Sequence, residues 1–404
     1  MDGQIYTGSR RFSDLQWYYA KTGITAHFIC YAPRKIDRQA FRELVLRVTG
    51  RAPHLLMEES LSAEALRHLN GVDIDSLIEH ERSERLEIPL SAVRATLLPS
   101  FSDTGAPAFR ARCWSADEPD DNGNRSVFVM ESAHSVMEGI DVSDILRGKE
   151  ADHHRPPDHP FRQNLWTRAA IAAAAPLLIP FHFVMAMRET RHPSQFGYRS
   201  IHLPRGSVTE VARTNGISQR ALLFALVLAS LEKSSRSKSL YFAFTHHPAR
   251  RQKNLDDDYI SNRTQEMRVK GSSDIVEMAR RIDAASKATS GKADATQALI
   301  RRLLAMHRAL HRRVPWLYPT RFFGYMPYDI VLSMAPPAHP IAERALMKDS
   351  VNFAGSFTGT GQNCIFVISN DAITMNFWAD PDILNRTSLL LDAAGKLGIE
   401  ATLW

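Results

Sequence analysis

The stretch Glu131-Ser-Ala-His134-Ser-Val-Met-Glu138-Gly139 decides how the rest of the chain is read. An apolar run, Val127 to Met130, leads into it with the character of an interior strand. His134 stands where that strand ends, and Glu138-Gly139 makes a turn. Asp141 or Ser143 then caps a short helix running through Leu146. A histidine at a strand end can face a cleft, and imidazole titrates near neutral pH, so His134 is a candidate general base. The plainer reading is a histidine packed in a core, and one residue does not choose between the two.

At 404 residues the chain is too long for one comfortable core, so two lobes of roughly 200 residues are expected. The composition, 44% hydrophobic and 23% charged, is that of a folded soluble protein. Cys30, Cys113 and Cys364 show no CxxC spacing. That argues against a zinc site or a disulfide framework and fits a reducing cytoplasm. No cleavable signal peptide is expected, because Met1 to Lys21 lacks a continuous apolar core. A net charge of +6 would attract acidic carrier proteins, nucleotide phosphates and anionic lipids, although ordinary solubilising charge also explains it. No nucleic-acid-binding motif accompanies it.

Outward from the motif, the N-terminal part reads as mixed α/β. Ile24 to Ala32 is a strand candidate. Phe41, Leu44, Val45 and Val48 recur at helical spacing, with Asp37 as N-cap and Gly50 as stop. Ala108 to Trp114 alternates like a half-buried strand, and the polar run Ala116 to Arg125 connects it to the strand before His134. The segment Asp152-His-His-Arg-Pro-Pro-Asp-His-Pro160 cannot continue a helix or a central strand and reads as a linker. An apolar run, Ala169 to Met187, follows. It is about as long as a bilayer is thick, but Pro176, Pro180 and His182 interrupt it. A buried position between lobes is the favoured reading, with shallow insertion at a membrane surface as the other.

In the C-terminal part, Ser207-Val-Thr-Glu210 reads as a capping box opening a helix that stops at Asn215-Gly216. Ser218 caps the next helix, in which Ala221 to Leu231 are apolar nearly all round. Leu240 to Thr245 is an interior strand candidate, and Ser273 opens a helix with Ile275, Met278, Ala279 and Ile282 on one face. Asn370-Asp371 joins two β-rich runs as a hairpin. Arg301 to Arg313 is a basic helical segment suited to docking a carrier protein, coenzyme A phosphates or an anionic membrane, or simply to a solvated face. The aromatic stretch Pro315 to Tyr325 fits tunnel or interface packing. The expected division is 1–150 for the lobe bearing the histidine, 151–196 for a linker with the apolar segment, and 197–404 for the second lobe.

His134 to Gly139 resembles the HxxxDG signature of the chloramphenicol-acetyltransferase-like acyltransferases, here as HxxxEG. That superfamily includes non-ribosomal peptide condensation domains and wax ester synthase/diacylglycerol acyltransferases. Arg11 to Trp17 looks like the family's opening, and the Phe41 helix with Ala52-Pro-His-Leu-Leu56 looks like its first helix and following turn. Ser218 to Leu231 is similar to its second buried helix. Asn262 in Ile260-Ser-Asn-Arg263 is similar to its strand-entry asparagine, and Asn352 with Gly355 resembles an Asn-x-x-Gly turn of the lipid-synthesising branch.

The resemblance implies an α/β fold of two similar lobes with a tunnel between them and the histidine midway. His134 would take the proton of a small hydroxyl or amine acceptor as it attacks an acyl thioester. The donor would be a co-substrate on coenzyme A or on a phosphopantetheine carrier protein, with no bound cofactor and no metal. Glu138 and Gly139 would support the loop, with Arg250, Arg251 or Arg263 as ion-pair partner of Glu138, and Asn262 and Asn352 as candidate substrate-binding residues. The usual first histidine is Ala133 here and the usual aspartate is Glu138, one methylene longer. A condensation enzyme forming an amide and a non-catalytic scaffold are the competing expectations. A cytoplasmic location, with or without peripheral membrane contact, accompanies all three.

Overall fold

The structure is a computed structural model. It describes residues 9–86, 101–121, 123–136, 165–188, 196–231, 239–246, 263–290, 293–318, 322, 329–334, 352–358, 362–368 and 371–403. The chain forms two compact units that follow contacts rather than sequence order. One gathers 1–158, 250–261 and 339–359, and the other 159–249, 262–338 and 360–404.

In the first unit, β1 (Arg10–Arg11), β3 (Met57–Ser60) and β4 (Ala65–His68) make a small sheet in the order β1-β4-β3. The main sheet contains β2 (Thr25–Ala32), β5 (Ile78–Arg85), β6 (Phe109–Glu118), β7 (Ser126–Ala133) and β12 (Asn352–Thr358), ordered β12-β2-β7-β6-β5. The apolar run before His134 is thus a central strand, buried along its whole length. β12, although late in the chain, completes this sheet by pairing antiparallel with β2.

Helix α1 (Asp14–Thr22) begins with a full capping box. The Ser13 hydroxyl accepts from the Gln16 N–H, and the Gln16 side chain accepts from the Ser13 N–H. Helix α2 (Arg38–Arg51) starts at the expected Asp37 cap, but Gly50 lies inside it. The stop is Ala52, because the Pro53 ring disfavours helical backbone in the residue before it.

The second unit is built on a sheet containing β8 (Gly197–Pro204), β9 (Ser239–His246), β10 (Arg263–Lys270), β11 (Ile330–Met334), β13 (Asn363–Ile368), β14 (Ala372–Ala379) and β15 (Thr402–Leu403). Their order is β10-β9-β11-β13-β14-β8-β15. β13 and β14 pair antiparallel through Ile368 and Ile373, the arrangement expected around Asn370-Asp371.

This unit's helices are α3 (Leu165–Arg188), α4 (Arg205–Thr214), α5 (Gln219–Leu231), α6 (Ile275–Ser290), α7 (Ala293–Arg313), α8 (Pro381–Asn385) and α9 (Thr387–Lys396). Helix α5 is buried nearly all round, as its composition demands, and Phe224 meets Phe242 and Phe366 at ring-centroid distances of 6.0 and 5.6 Å. Each such ring contributes roughly 1.5–3 kcal/mol by leaving water. Ser218 caps α5 as expected, donating its hydroxyl to Asp283 while accepting from the Ala221 N–H.

Two other caps differ from the expectation. Helix α4 begins at Arg205 directly from β8, whose end is tied by the Arg205 N–H to the Asp371 carbonyl, so Ser207 lies within the helix. The cap of α6 is Asp274 rather than Ser273, because its carboxylate reaches the N–H groups of Val276 and Glu277. The larger correction concerns 169–187. Its two prolines do not break α3, and the helix is not core. Only a stripe of it is buried, while Leu165, Trp166, Leu177 and Phe181 are exposed.

Candidate active site

The site grows from the end of β7. Strand pairing places Ala133 level with Thr25 of β2, so the chain must turn at His134 once it leaves the sheet. The His134 N–H donates to the Ile24 carbonyl at 2.9 Å, the Ala133 N–H to Ala108 at 3.0 Å, and the Val136 N–H closes the turn on Ala133 at 3.1 Å. The His134 imidazole stacks on the Tyr19 ring of α1, with centroids 4.4 Å apart and planes inclined by 28°. Only 5% of the residue is exposed. The ring's orientation is therefore set by packing as well as by backbone, as a general base requires.

Two side chains brace the next residue, and a third holds one of the two. Gln16 Nε2 donates to the Ser135 carbonyl at 2.9 Å, the Ser135 hydroxyl donates to Glu59 at 2.7 Å, and the Ser102 hydroxyl donates to the other Glu59 oxygen at 2.6 Å. Burial pushes the Glu59 carboxyl above its ordinary range, against the pull of the Ser102 and Ser135 hydroxyls. Gln16 thus serves the α1 cap with its oxygen and the histidine turn with its nitrogen. Gln16→Glu keeps the acceptor for the cap and loses the donor to Ser135. On the general-base reading, the expected result is about a tenfold fall in kcat with the helix content of α1 retained, in line with ~1–3 kcal/mol for a buried polar group left unpaired. Circular dichroism and turnover measured on one preparation check it, and unchanged kcat would show that the turn does not need this brace.

Beside the turn, one charged row crosses the sheet. His27 of β2, Glu131 of β7 and Arg110 of β6 are cross-strand partners. Glu131 is fully buried and paired with Arg110, which also lies over the Phe101 ring at 5.1 Å. Burial raises the Glu131 carboxyl to about 7, with Arg110 and Arg112 opposing the rise. Burial lowers His27 to about 3, with the Arg110 charge adding to the effect. His27 is therefore neutral. Its Nδ1 stands 3.9 Å from Glu131, beyond hydrogen-bond reach, so Arg110 is the ionic partner of Glu131.

Of the residues singled out from the sequence, His134 alone has its side chain described. Glu138, Gly139, Arg250, Arg251 and Asn262 lie outside the described residues, as do Asp141, Ser143 and Leu146. Arg263 is the first residue of β10, in the second unit. Asn352 is the first residue of β12, opposite Tyr31. The residue of β12 level with Ala133 is Thr358, through Thr25, so Asn352 stands six residues along the strand, roughly 20 Å away at ~3.3 Å per residue. The sheet does not bring Asn352 to the histidine turn.

Sequence reading missed Tyr19, Glu59 and the Glu131–Arg110 pair. Glu131 carried a usable signal, since it interrupts an otherwise apolar strand. Tyr19 and Glu59 carried none, because nothing local says which helix or strand will face the turn. Among the described residues no group of three or more His, Cys, Asp or Glu side chains is placed to hold a metal ion.

No protein-family model and no curated protein sequence matches the chain. Solved structures do. The chain is similar to the first condensation domain of the calcium-dependent antibiotic synthetase, in complex with a substrate analogue, with a TM-score of 0.63, 12% identity and 97% of each chain covered. It is also similar to the TRI3 trichothecene 15-O-acetyltransferase from Fusarium sporotrichioides, with a TM-score of 0.62, 10% identity and 95% of each chain covered. A third likeness is to the EpoB cyclization-docking bidomain from Sorangium cellulosum, with a TM-score of 0.56 and 14% identity over 96% of this chain and 83% of that one. Along nearly its whole length, this chain has the mixed α/β chloramphenicol-acetyltransferase-like fold found in condensation domains and in an O-acetyltransferase.

Proposed function

We propose that this protein is an acyltransferase that moves an acyl group from a thioester to a hydroxyl or amine, with His134 as general base. The observation that carries the reading is the position of His134. It is the first residue beyond a central buried strand, with its ring held against Tyr19 and its turn braced by Gln16 and Glu59, in a fold shared with a condensation domain and an acetyltransferase. In the reaction, the acceptor oxygen or nitrogen bonds to the thioester carbonyl carbon as the neutral imidazole removes its proton. The tetrahedral oxyanion then collapses, the C–S bond breaks, and the imidazolium returns the proton to the departing thiolate. No metal and no resident cofactor enters this sequence.

The donor is coenzyme A-bound or borne on an acidic carrier protein, and the acceptor is a small molecule. The condensation-domain likenesses favour the carrier and an amide product as the second reading. Incubation with matched acyl-coenzyme A and acyl-phosphopantetheine carrier donors, each with mixed alcohols and amines, separates the two by product mass. Esters from coenzyme A donors support the first reading, and amides formed only from the carrier support the second. No transfer from either donor would leave a scaffold role for the fold.

A further inference from the structure

Helix α3 has two apolar faces and only one of them is covered. Ala175 and Ile179 are buried, and with Leu178 and Phe183 they form the side that packs on α7, where Leu303 and Met306 meet them. His182 stacks on His307 at 5.6 Å, and Phe183 meets Tyr318 at 4.8 Å. Trp166, Leu177, Phe181 and Val184 share a second stripe and are 82%, 77%, 55% and 48% exposed. Ala170 and Ala173, on the same stripe, are exposed as well. The stripe runs roughly 27 Å at ~1.5 Å per residue. A surface helix of a soluble protein carries polar side chains on this side, and an apolar patch of such length marks an interaction site.

The charge carried by the two helices is one-sided. Helix α3 and the segment 293–318 contain seven arginines, and Asp294 is their one acidic residue. Arg168, Arg302, Arg312 and Arg313 are exposed. Just past Arg313, Trp316 and Leu317 are exposed at 78% and 40%, on the chain that Tyr318 ties to α3. An exposed apolar and aromatic stripe, on a pair of packed helices whose charged side chains are nearly all arginines, matches the chemistry of an anionic bilayer surface, where rings enter the interface and cations meet phosphates. A second copy of this chain would set arginines against arginines across a two-fold axis. A true span would carry the arginines of α7, which packs along α3, into the hydrocarbon core, where charge is costly.

We propose that the outer face of α3, with the Arg312–Leu317 corner, docks this protein onto an anionic phospholipid membrane, the helix lying flat in the interface. The surface stands independently of the acyl-transfer reading. Co-sedimentation of the full chain with phosphatidylglycerol/phosphatidylcholine vesicles, and with phosphatidylcholine alone, tests it. The expected result is binding to the anionic vesicles that weakens with salt and falls at least tenfold in Leu177→Asp/Phe181→Asp. Arg312→Glu/Arg313→Glu should lose the preference for anionic vesicles. All four residues are exposed, so thermal melting should match the wild type in both variants. Absence of binding to anionic vesicles would overturn the proposal. So would undiminished binding by the Asp double variant, or light scattering that shows a dimer which the Asp variant turns to monomer without any vesicle association.

Discussion

His134→Ala is expected to abolish most turnover, by ~10²–10⁴-fold in kcat, while the protein stays folded. The size follows from what the side chain does on the proposed mechanism, since without it the acceptor must attack with its proton still attached. The Ala133–Val136 turn contains no second imidazole to take over. Some stability is lost with the Tyr19 stack, so activity must be compared on preparations with matched thermal melting. His134→Gln is the companion variant, because it retains bulk and polarity without a comparable base. Turnover at the wild-type level by either folded variant would exclude His134 as the base. The fold assignment would be untouched by that result.

The second large effect is structural. Arg110→Met is expected to destabilise the protein by ~2 kcal/mol at pH 8, since a Glu131 without its cation keeps a proton at a cost of ~1.4 kcal/mol for each pH unit above the wild-type value of about 7. The loss should shrink at pH 5.5 to the ~0.5–1 kcal/mol of the stacking on Phe101. The difference arises because Glu131 holds its proton up to about 7 in the fold. Below that pH it is neutral and needs Arg110 little, and above it the variant must hold a proton that the wild type has released, because Arg110 is among the groups that lower the Glu131 carboxyl. The double variant Arg110→Met/Glu131→Gln should recover most of the loss at pH 8. Urea unfolding at the two pH values measures all three proteins. A loss of equal size at both would mean that Glu131 is not the group being compensated.

The same row has a consequence for the wild type. A carboxyl raised from about 4.5 to about 7 favours folding below 4.5 and gives up that contribution as pH rises through 7. His27, lowered from 6.5 to about 3, does the reverse: its contribution is present above 6.5 and is lost as pH falls through 3. Between about 4.5 and 6.5 the unfolded chain carries the proton on His27 and the folded chain carries it on Glu131. The pair then adds no net slope in that window. His27→Gln should expose the Glu131 slope of about 1.4 kcal/mol per pH unit, with stability falling as pH rises. A variant whose stability stays flat there would contradict the assignment.

Much of this was legible from residue order because the elements concerned obey local rules. Val127 to Met130 is apolar without a break and becomes a central strand. Asp37 and Ser218 can each satisfy the first N–H groups of a helix, and both do so. Ala221 to Leu231 is apolar nearly all round, and the helix is buried nearly all round. Errors came where two local signals competed. Gly50 permits a helix stop, but Pro53 enforces one. Ser207 can cap a helix, but the end of β8 starts it earlier. The apolar run 169–187 looked like core because hydrophobicity records an aversion to water and not which neighbour relieves it. Helix α7 relieves it on one side only.

The candidate site divides along the same line. That a histidine ends the strand, with glycine soon after, and that it resembles an acyltransferase signature, follows from the order of residues alone. So do the α/β class and the positive charge gathered on the α3–α7 segments. Tertiary structure decided that Tyr19 covers the imidazole, that Gln16 and Glu59 hold its turn, that Arg110 neutralises Glu131, and that Asn352 lies too far along the sheet to join them. The reason is physical. Periodicity and capping act over a few residues, whereas these contacts join positions tens to more than a hundred residues apart, and only strand pairing and close packing choose which of them meet.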